Sequence, residues 1–420
     1  MRTFYGIRVN NLARCLKTIS TACLGVVIFT TALSSAYAFD NDRLDLTITR
    51  FLDSLSYNYK GFNIKITEVS IGETFDDNLT FAKENKQEDF ITDLRLVLGA
   101  KYEGKTRTFE LTGDISNKTF AKNDTFNNIT QHIDLNFKNE FSKRDRISLN
   151  NIFTHFKVLS ATVEGSTDEG YFSQQFGRSA GRFELFRNKF NVDYSNDVAK
   201  QLSLVVKYAN EINVFSGVSI PNSILNKPGL GLSYLFSPTA TIFSILYEFT
   251  NVQFETEEDA TINTIGPGIR QYITKKLYFD GSTGVDFINS FDDENLTKPF
   301  VQASLTYIID EKTRARFSFN KRYGTSPYVA EIFNNWRTSA SLTRQMLERL
   351  GCSLSIFYGE GEFISSTFKN KLLGANSSLK YDISRNLNGN LTYTYSQLDS
   401  NVETAGYSKN TLFLGLVAEF

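Results

Sequence analysis

Two histidines and three cysteines are the residues of this 420-residue chain that could carry acid–base, nucleophilic or metal chemistry. The histidines are His132 and His155, and Cys352 follows two cysteines that lie near the N-terminus. The sequence contains no zinc-ligand spacing, no phosphate-binding loop and no Gly-x-Ser-x-Gly element. We therefore expect no metal, no cofactor and no cysteine-based metal cluster. Whether the chain could be an enzyme then depends on whether the two histidines can share a site.

The hairpin around Lys143-Arg144-Asp145 determines whether the two histidines could share a site. Matching the apolar residues on its two sides pairs Ile133 with His155. Because successive side chains of a strand point to opposite faces, His132 is then on the polar face and His155 on the apolar face. Side chains on opposite faces cannot act together, so we expect a chain that is not an enzyme.

Charged side chains recur on the polar faces of several segments. Arg314 and Arg316 follow one segment, and Arg337 lies on the same face of the next. A charge that faces lipid costs several kcal/mol at the bilayer centre, so we expect these residues to line a water-filled interior. Further predicted interior charges are Arg187, Lys189, Arg270, Arg322, Glu110, Asp93, Asp114, Asp134, Asp286 and Asp382.

Two interpretations of these charges stay open. They could be a wetted interior of paired acids and bases. Alternatively, Arg314, Arg316 and Arg337 could form a basic ladder that favours anionic solutes such as an acidic sugar polymer. Unchanged anion preference after replacing all three arginines with Gln would exclude the ladder.

The elements that position these charges show alternation with a period of two. In Leu391–Ser396 the apolar residues occupy one face and Thr or Ser the other, and Arg314–Asn320 repeats the pattern with charges. The chain has 37 Phe and 20 Tyr, yet its mean hydropathy is −0.25. High aromatic content without high hydropathy is typical of strands with one face to lipid and one to water.

The connections between these segments alternate between short and long. The predicted long polar loops cover roughly 72–89, 117–129, 157–181, 212–227, 252–260, 288–298, 321–334, 359–369 and 397–409. This asymmetry is typical of tight periplasmic turns and longer extracellular loops, and it argues against a soluble sandwich. Since lipid offers no hydrogen-bond partners, such strands must close into a cylinder. We predict an all-β, antiparallel up-and-down transmembrane barrel of 18 strands, with 16 as the next choice.

The N-terminus predicts export. Four basic residues precede an apolar run at Leu24–Leu33, and Ala36-Tyr37-Ala38 supplies a small-x-small cleavage site before Phe39. The apolar run is shorter than the roughly 20 residues of a spanning helix, which disfavours an anchor. We therefore predict a signal peptide over 1–38, a periplasmic arm or plug over 39–61, and the barrel over 62–420. The formal net charge is −1 and the sequence contains no dominant block of basic residues, so we expect no nucleic-acid partner.

The C-terminus carries the sharpest local feature. Leu412, Leu414, Leu416 and Ala418 alternate on one face, and Phe420 is the last residue. A terminal aromatic on an amphipathic final strand resembles the insertion signal of barrel proteins from Gram-negative bacteria. We therefore expect the outer membrane as the location, with its lipid, lipopolysaccharide and the barrel-insertion machinery as partners; the oligomeric state stays open.

A short motif near the start of the barrel carries a family resemblance. Gly72–Leu79 contains Glu73, Thr74, Phe75, Asp76, Asp77 and Asn78, and Asp89-Phe90-Ile91-Thr92 follows. The two elements resemble the opening of the β-barrel porin 2 family, in particular outer-membrane proteins linked to exopolysaccharide and PEP-CTERM/exosortase systems. Those members have tyrosine where Phe75 stands, and a proline-containing element is missing here. The resemblance implies a barrel and a polysaccharide as a possible partner.

The rings and loops complete the functional hypotheses. Predicted lipid-facing rings are Phe243, Phe317, Phe319, Trp336, Tyr393 and Tyr395, with Tyr278 and Phe413 as the few lumenal exceptions. We therefore expect no stacking platform for sugars. The 157–181 loop could fold inward as a constriction. The chain is then either a channel for hydrophilic solutes, tied to exopolysaccharide secretion, or a non-conducting surface scaffold or adhesin.

Overall fold

The computed structural model describes residues 57–59, 61–158, 183–216, 220–237, 241–255, 259–289, 295–326, 331–363, 369–402 and 406–420. These residues form nineteen strands and one short 3-10 helix, Asp124–Phe126. The strands are β1 (Tyr57–Tyr59), β2 (Phe62–Asp76), β3 (Asp89–Glu103), β4 (Arg107–Phe120), β5 (Asn128–Glu140), β6 (Asp145–Val158), β7 (Phe183–Ala199), β8 (Leu202–Ser216), β9 (Ser223–Ser237), β10 (Thr241–Phe254), β11 (Ala260–Tyr272), β12 (Leu277–Asn289), β13 (Asn295–Asp310), β14 (Thr313–Ser326), β15 (Glu331–Leu347), β16 (Leu350–Phe363), β17 (Lys369–Asp382), β18 (Leu387–Ser400) and β19 (Tyr407–Glu419).

The strands β2 to β19 form a closed antiparallel barrel. Each strand pairs with the next one in sequence, and β19 pairs with β2 from Glu419↔Glu68 to Thr411↔Asp76. The predicted count of 18 barrel strands is confirmed. The short β1 pairs with the first residues of β2, beyond the end of β19. The start of β2 and the end of β19 therefore lie at the edge of the barrel that carries the short turns. We call this edge the turn end and the opposite edge the loop end.

The two faces of the wall differ as the alternation predicts. On β14, Arg316, Ser318 and Asn320 point inward, whereas Phe317 points outward and is 53% exposed. On β19, Leu414 points outward and is 61% exposed. An exposed apolar band around a polar interior is the arrangement that lipid outside and water inside require.

The strands run further toward the loop end than predicted. The connection predicted over 117–129 is 121–127, and the one predicted over 212–227 is 217–222, because β4, β8 and β9 continue past the expected bounds. Barrel strands have 13 to 17 residues, whereas crossing the bilayer takes about 9–11. Strand pairing satisfies the backbone in water as well as in lipid, so a polar composition did not end it.

The β5–β6 register also differs from the predicted one. The hairpin pairs Glu140 with Arg146 and Gln131 with His155, where Ile133 was expected opposite His155. The shift is by two residues, so every side chain keeps its face. The tight turn sets this register: the Phe141 amide donates to the Asp145 carbonyl at 2.9 Å.

The β13–β14 ladder stops before either strand ends. Its last pair toward the loop end is Val301↔Lys321. Beyond it, residues 295–300 pair with β12 alone, and residues 322–326 pair with β15 alone. Pro299 stands at the divergence, and a proline has no amide hydrogen to offer a neighbouring strand. The end of β14 is therefore released from β13 and stays paired with β15, whose residues 333–335 still pair with β16. We call residues 322–326 and 331–335 the inner hairpin.

Several predictions fall outside the described residues. These are the signal peptide at 1–38, residues 39–56 of the arm, and residues 159–181 of the constriction loop. Among the residues that are described, no helix has the length and apolar character needed to cross a membrane.

Candidate functional site: the barrel lumen

The half of the lumen near the turn end contains a polar cavity of about 850 Å³, which we call the lower cavity. Its lining reaches from the β7–β8 turn, at Lys200 and Gln201, to the middle of β14 and β15. Eight serines lie in this lining, with Gln302 and Asn320 beside them. The inward position of every second residue puts these short polar side chains on one surface.

The structure brings three of the predicted interior arginines together. Arg270, Arg316 and Arg337 all line the lower cavity, and Arg270 is paired with Asp280 at 2.5 Å. Arg314 points inward on β14 one position nearer the turn end and is not part of this lining. The predicted ladder of Arg314, Arg316 and Arg337 is therefore only partly assembled as one surface.

Other predicted interior charges lie on different parts of the wall, and two of them, Arg187 and Lys189, are ion-paired. Arg187 and Lys189 of β7 contact Glu211 at 3.3 and 3.2 Å. Glu110 faces inward on β4, opposite Lys101 in the β3–β4 register. Asp286 is fully buried on β12 and accepts a 2.6 Å hydrogen bond from Thr264. Arg187, Lys189 and Glu211 therefore match the interpretation of a wall with paired charges.

Above the lower cavity, an ion cluster reaches across the lumen. Glu248 of β10 binds Lys227 of β9 at 2.7 Å and Arg322 of β14 at 2.5 Å. The Arg322 guanidinium also lies 3.4 Å from the Thr264 hydroxyl and 5.9 Å from the centre of the Phe300 ring. Because β10 and β14 are not neighbours in the sheet, Arg322 ties the inner hairpin to a distant part of the wall.

Apolar contacts hold the inner hairpin on both sides. Ile332 is 1% exposed and packs with Ala260, Ile262 and Ile288 of β11 and β12. The next residue, Phe333, packs on the other side in a cluster with residues of β16 to β19 and of the first loop; these are Phe81, Phe357, Phe363, Leu372, Leu398 and Tyr407. The hairpin therefore occupies the lumen between two walls near the loop end.

The family-like motif attaches the first loop, residues 77–88, to the last strand. Asp76 forms an ion pair with Lys409 at 2.6 Å, with both side chains 4% exposed. The Asp77 carboxylate accepts two hydrogen bonds of 2.7 Å from Asn410, one from its backbone amide and one from its side chain. Asn78 is fully buried and donates to the Ser408 carbonyl at 2.9 Å. These contacts cross the β2–β19 seam, where the barrel closes.

The same loop places one aromatic ring inside the barrel. Phe81 has a φ of 55°, which is in the left-handed region that bulky side chains rarely adopt. Its ring lies 4.9 Å from that of Tyr407, and the Lys409 ammonium lies 4.0 Å above it. Such strain persists only where the surroundings over-determine it. We call this loop and the inner hairpin together the outer plug.

The second half of the motif fixes the next loop. Asp89 is fully buried and accepts hydrogen bonds from the Lys122 and Asn123 backbone amides, each at 2.9 Å. The Lys122 side chain binds Glu88 at 2.9 Å, and this contact raises the pKa of the lysine above its ordinary value. The motif residues thus hold the first two loops of the barrel, residues 77–88 and 121–127, in place. The remaining motif residues lie on β2: Glu73 and Phe75 face outward, and Thr74 faces inward.

Comparison with known proteins agrees with this architecture. Residues 287–420 match the model of the family described as "Putative beta-barrel porin 2". The chain is a porin-like outer-membrane β-barrel. The matched residues run from the end of β12 to the C-terminus and do not include the Gly72–Thr92 motif. A search of curated proteins gave no match.

The solved structures that are similar to this chain include three proteins from Pseudomonas species. A BenF-like porin from Pseudomonas fluorescens Pf-5 is 12% identical, with 86% of this chain and 99% of that chain covered and a TM-score of 0.48. OccK2 (OpdF) from Pseudomonas aeruginosa is 11% identical, with 87% and 100% covered and a TM-score of 0.47. The ferric enterobactin receptor PfeA from Pseudomonas aeruginosa is 8% identical, with 84% and 81% covered and a TM-score of 0.44.

The inner face of this porin-like barrel carries more rings than predicted. Tyr278 and Phe413 point inward as expected, but so do several rings near the loop end: Phe120, Phe215, Phe254, Phe300, Phe333, Phe357, Phe363 and Tyr407. The expectation of few lumenal rings is wrong, because the outer plug provides an apolar surface to pack on. The run Ile356-Phe357-Tyr358 was a signal: apolar residues on both faces indicate burial on both faces.

Two of these rings lie flat against the wall of the porin-like barrel. A Cβ on Gly374 would come within 2.2 Å of the Phe357 ring, and one on Gly284 would come within 2.6 Å of the Phe300 ring. The rings therefore occupy the space that side chains would fill at these glycines. Covering a strand glycine with a cross-strand ring keeps the sheet packed at a position that has no side chain.

The histidines face opposite sides of the porin-like wall, as predicted. His132 points inward and contacts the Thr154 hydroxyl at 3.1 Å. His155 points outward, contacts Glu184 at 2.8 Å and stacks on Phe186 with ring centres 4.2 Å apart. Within the described residues, no group of three potential ligands could hold a metal ion.

The last strand ends where the alternation places it. Leu412, Leu414 and Leu416 face outward, and the Phe420 amide donates to the Thr67 carbonyl at 3.0 Å. Lys65 donates to the Phe420 carbonyl at 2.6 Å. The final residue is thereby attached to β2 at the turn end. Its role as an insertion signal stays a prediction.

Proposed function

We propose that this barrel is a channel for hydrophilic solutes, and that solutes enter it from the turn end, which faces the periplasm. The lower cavity is the observation that carries the proposal. It is about 850 Å³ in volume, reaches the β7–β8 turn and is lined mostly by serine, amide and arginine side chains. A surface of this kind keeps water in the lumen and offers hydrogen bonds to a passing solute.

Conductance in planar bilayers tests the proposal, and two variants of β14 sharpen it. Ser318 points into the lower cavity, whereas Phe317 points to lipid. Ser318→Trp should lower the single-channel conductance, because a large ring would take up cavity volume. Phe317→Trp keeps an aromatic ring on the lipid face and should leave the conductance unchanged. Equal effects of both substitutions, or conductance that neither alters, would argue against passage through this cavity.

A link to exopolysaccharide export extends the proposal. Two features support it: the motif at 72–92 resembles members tied to such systems, and the eight cavity serines with Gln302 and Asn320 can bind hydroxyl groups. Deleting the gene should then reduce secreted polysaccharide while the cell interior retains it. Secretion that does not change in the deletion strain would limit the function to general solute passage.

The outer plug favours a second candidate, a non-conducting surface scaffold. The inner hairpin and the first loop occupy part of the lumen near the loop end. A variant that weakens the plug separates the candidates. If neither the wild-type protein nor that variant conducts, the scaffold is favoured; if the variant conducts more than the wild type, the plug restricts a real channel.

A further inference from the structure

The charges that line the lower cavity do not balance. Four basic residues contribute to it, namely Lys200, Arg270, Arg316 and Arg337, against the single acid Asp280. Asp280 is bound to Arg270 at 2.5 Å, and the described lining residues include no second acid that could pair with Arg316. The lining therefore has a formal net charge of three positive units at neutral pH.

Within the ranges that the structure covers, Arg316 has no acidic partner, whereas several cations elsewhere on the inner wall are ion-paired. Arg95 contacts Glu68 and Asp114 at 3.4 and 3.3 Å. The other paired lumenal cations and their acids are Lys118 with Asp93, Arg187 and Lys189 with Glu211, and Lys227 and Arg322 with Glu248. Arg316 is exposed to the cavity and forms no ion pair with any acid in the part of the chain that the structure describes.

The wall beside Arg316 leaves space for a ligand. In the β14–β15 register Arg316 is opposite Ser341, and Arg337 is opposite Asn320. These two positions are four residues apart along the strand, which is about 13 Å at the rise of a β-strand. Between them lie Ser318 and Ser339, whose hydroxyls are 2.6 Å apart. Two cations thus flank a floor of short hydroxyl side chains.

We propose that the lower cavity binds an anionic, hydroxyl-rich solute, namely an acidic oligosaccharide whose carboxylate binds Arg316. A guanidinium matches a carboxylate with two parallel hydrogen bonds, and such charge-assisted pairs are strong where water is partly excluded. Ser339, Ser341 and Gln302 lie on the adjoining wall and can bind sugar hydroxyls. This deepens the proposed function, since it names the class of solute, but binding can be measured without transport.

Calorimetric titration of the purified full-length mature protein in detergent tests this site. The probes are trigalacturonate, neutral maltotriose and inorganic phosphate. Trigalacturonate should bind about tenfold more tightly than maltotriose, as one well-formed charge-assisted contact implies. Phosphate at the same concentration should compete poorly, because it lacks the array of hydroxyls.

Two arginine variants of one strand provide the matched comparison. Arg316→Gln should weaken trigalacturonate binding about tenfold and leave maltotriose unaffected. Arg314→Gln changes the same type of residue on the same inner face, outside the cavity lining, and should have no such effect. Equal binding of the acidic and neutral sugars, equal loss in both variants, or full competition by phosphate would overturn the proposal.

Conductance keeps this inference distinct from the proposed function. If Arg316→Gln removes binding but the variant still conducts, the channel stands and the site is confirmed. If the wild-type protein binds trigalacturonate but never conducts, the site stands and the channel fails. If the wild-type protein conducts but binds the acidic and neutral sugars equally in the titration, the proposed channel stands and the proposed binding site is rejected.

Discussion

The lower cavity and the outer plug use the same strands but opposite chemistry. Inward residues near the turn end of β13 to β15 include Ser304, Ser318 and Ser339, whereas further along the same faces stand Phe300 and Phe333. Near the turn end the inner face meets water. Near the loop end it meets the inner hairpin and the first loop. Alternation of polar and apolar residues along a strand therefore indicates that the barrel wall is the only layer there. Loss of this alternation indicates that a second layer of the chain packs against the inner face.

The two regions should respond differently to substitution. In the lower cavity, water can replace a lost hydrogen bond, so the cost of a change is small. In the outer plug, buried charges and apolar side chains have no such substitute, and an unpaired group carries its full desolvation cost. Predictions that compare the regions test this difference directly.

The largest effect is expected at the β2–β19 seam, where Lys409 contacts the Phe81 ring of the outer plug. Lys409→Met removes the partner of Asp76, whose side chain is 4% exposed. Breaking a buried ion pair from one side costs about 3–5 kcal/mol, because the remaining charge is buried without a partner. We expect the free energy of unfolding to fall by about that amount. Urea titration in detergent, followed by the fluorescence of the single tryptophan, Trp336, measures it.

Two further variants identify the cause at the seam. Asp76→Asn combined with Lys409→Met removes both charges and should recover part of the lost stability. Lys371→Met breaks an exposed pair with Glu360, at 3.5 Å, and should change the stability by less than about 1 kcal/mol. If Lys371→Met were as harmful as Lys409→Met, burial at the seam would not be the reason.

A smaller effect is expected where the inner hairpin is attached. Glu248→Gln removes the carboxylate that holds both Lys227 and Arg322. Losing hydrogen bonds to a charged group weakens the attachment of the inner hairpin to β10 by about 1.5–3 kcal/mol. The hairpin should therefore detach from β10 more often. We expect a higher mean conductance in planar bilayers. The Trp336 emission should also shift, because this residue follows the inner hairpin on β15 and contacts Tyr358.

The matched control for this variant is Glu110→Gln. Glu110 is also an inward acid, but it lies on β4, away from the hairpin. The control should conduct as the wild type does. Unchanged conductance and emission in Glu248→Gln would show that the ion cluster does not hold the outer plug in place.

Much of the fold could be predicted from the sequence because its signals are local. Alternation identified the strands, and the apolar face of β19 with Leu412, Leu414 and Leu416 was correct. Face assignment survived the wrong β5–β6 register, since a shift of two residues preserves it. The loop bounds failed because a polar composition does not reveal whether a hairpin continues to pair beyond the bilayer.

The candidate site was less predictable because it depends on contacts between distant strands. The sequence indicated that Arg316 and Arg337 face inward, and the structure places both in the lower cavity. It gave no sign that Arg322 reaches Glu248, 74 residues away. Two local features of the sequence indicated that something packs inside the barrel. One is Pro299, near which β13 and β14 separate, and the other is Ile356-Phe357-Tyr358, which is apolar on both faces.

The smallest effect compares one hydroxyl from each region. Thr264→Val removes a donor to Asp286 on the wall that the outer plug covers, where Arg322 lies 3.4 Å from the Thr264 hydroxyl. Thr264 is 1% exposed and donates at 2.6 Å, so its loss should cost about 1–3 kcal/mol. Ser339→Ala removes the 2.6 Å contact with Ser318 at the lower cavity, where water can take its place, and should cost less than about 1 kcal/mol. Urea titration of both variants measures the difference. A larger loss for Ser339→Ala would mean that the lower cavity is drier than the outer plug, which would reverse the roles assigned to the two regions.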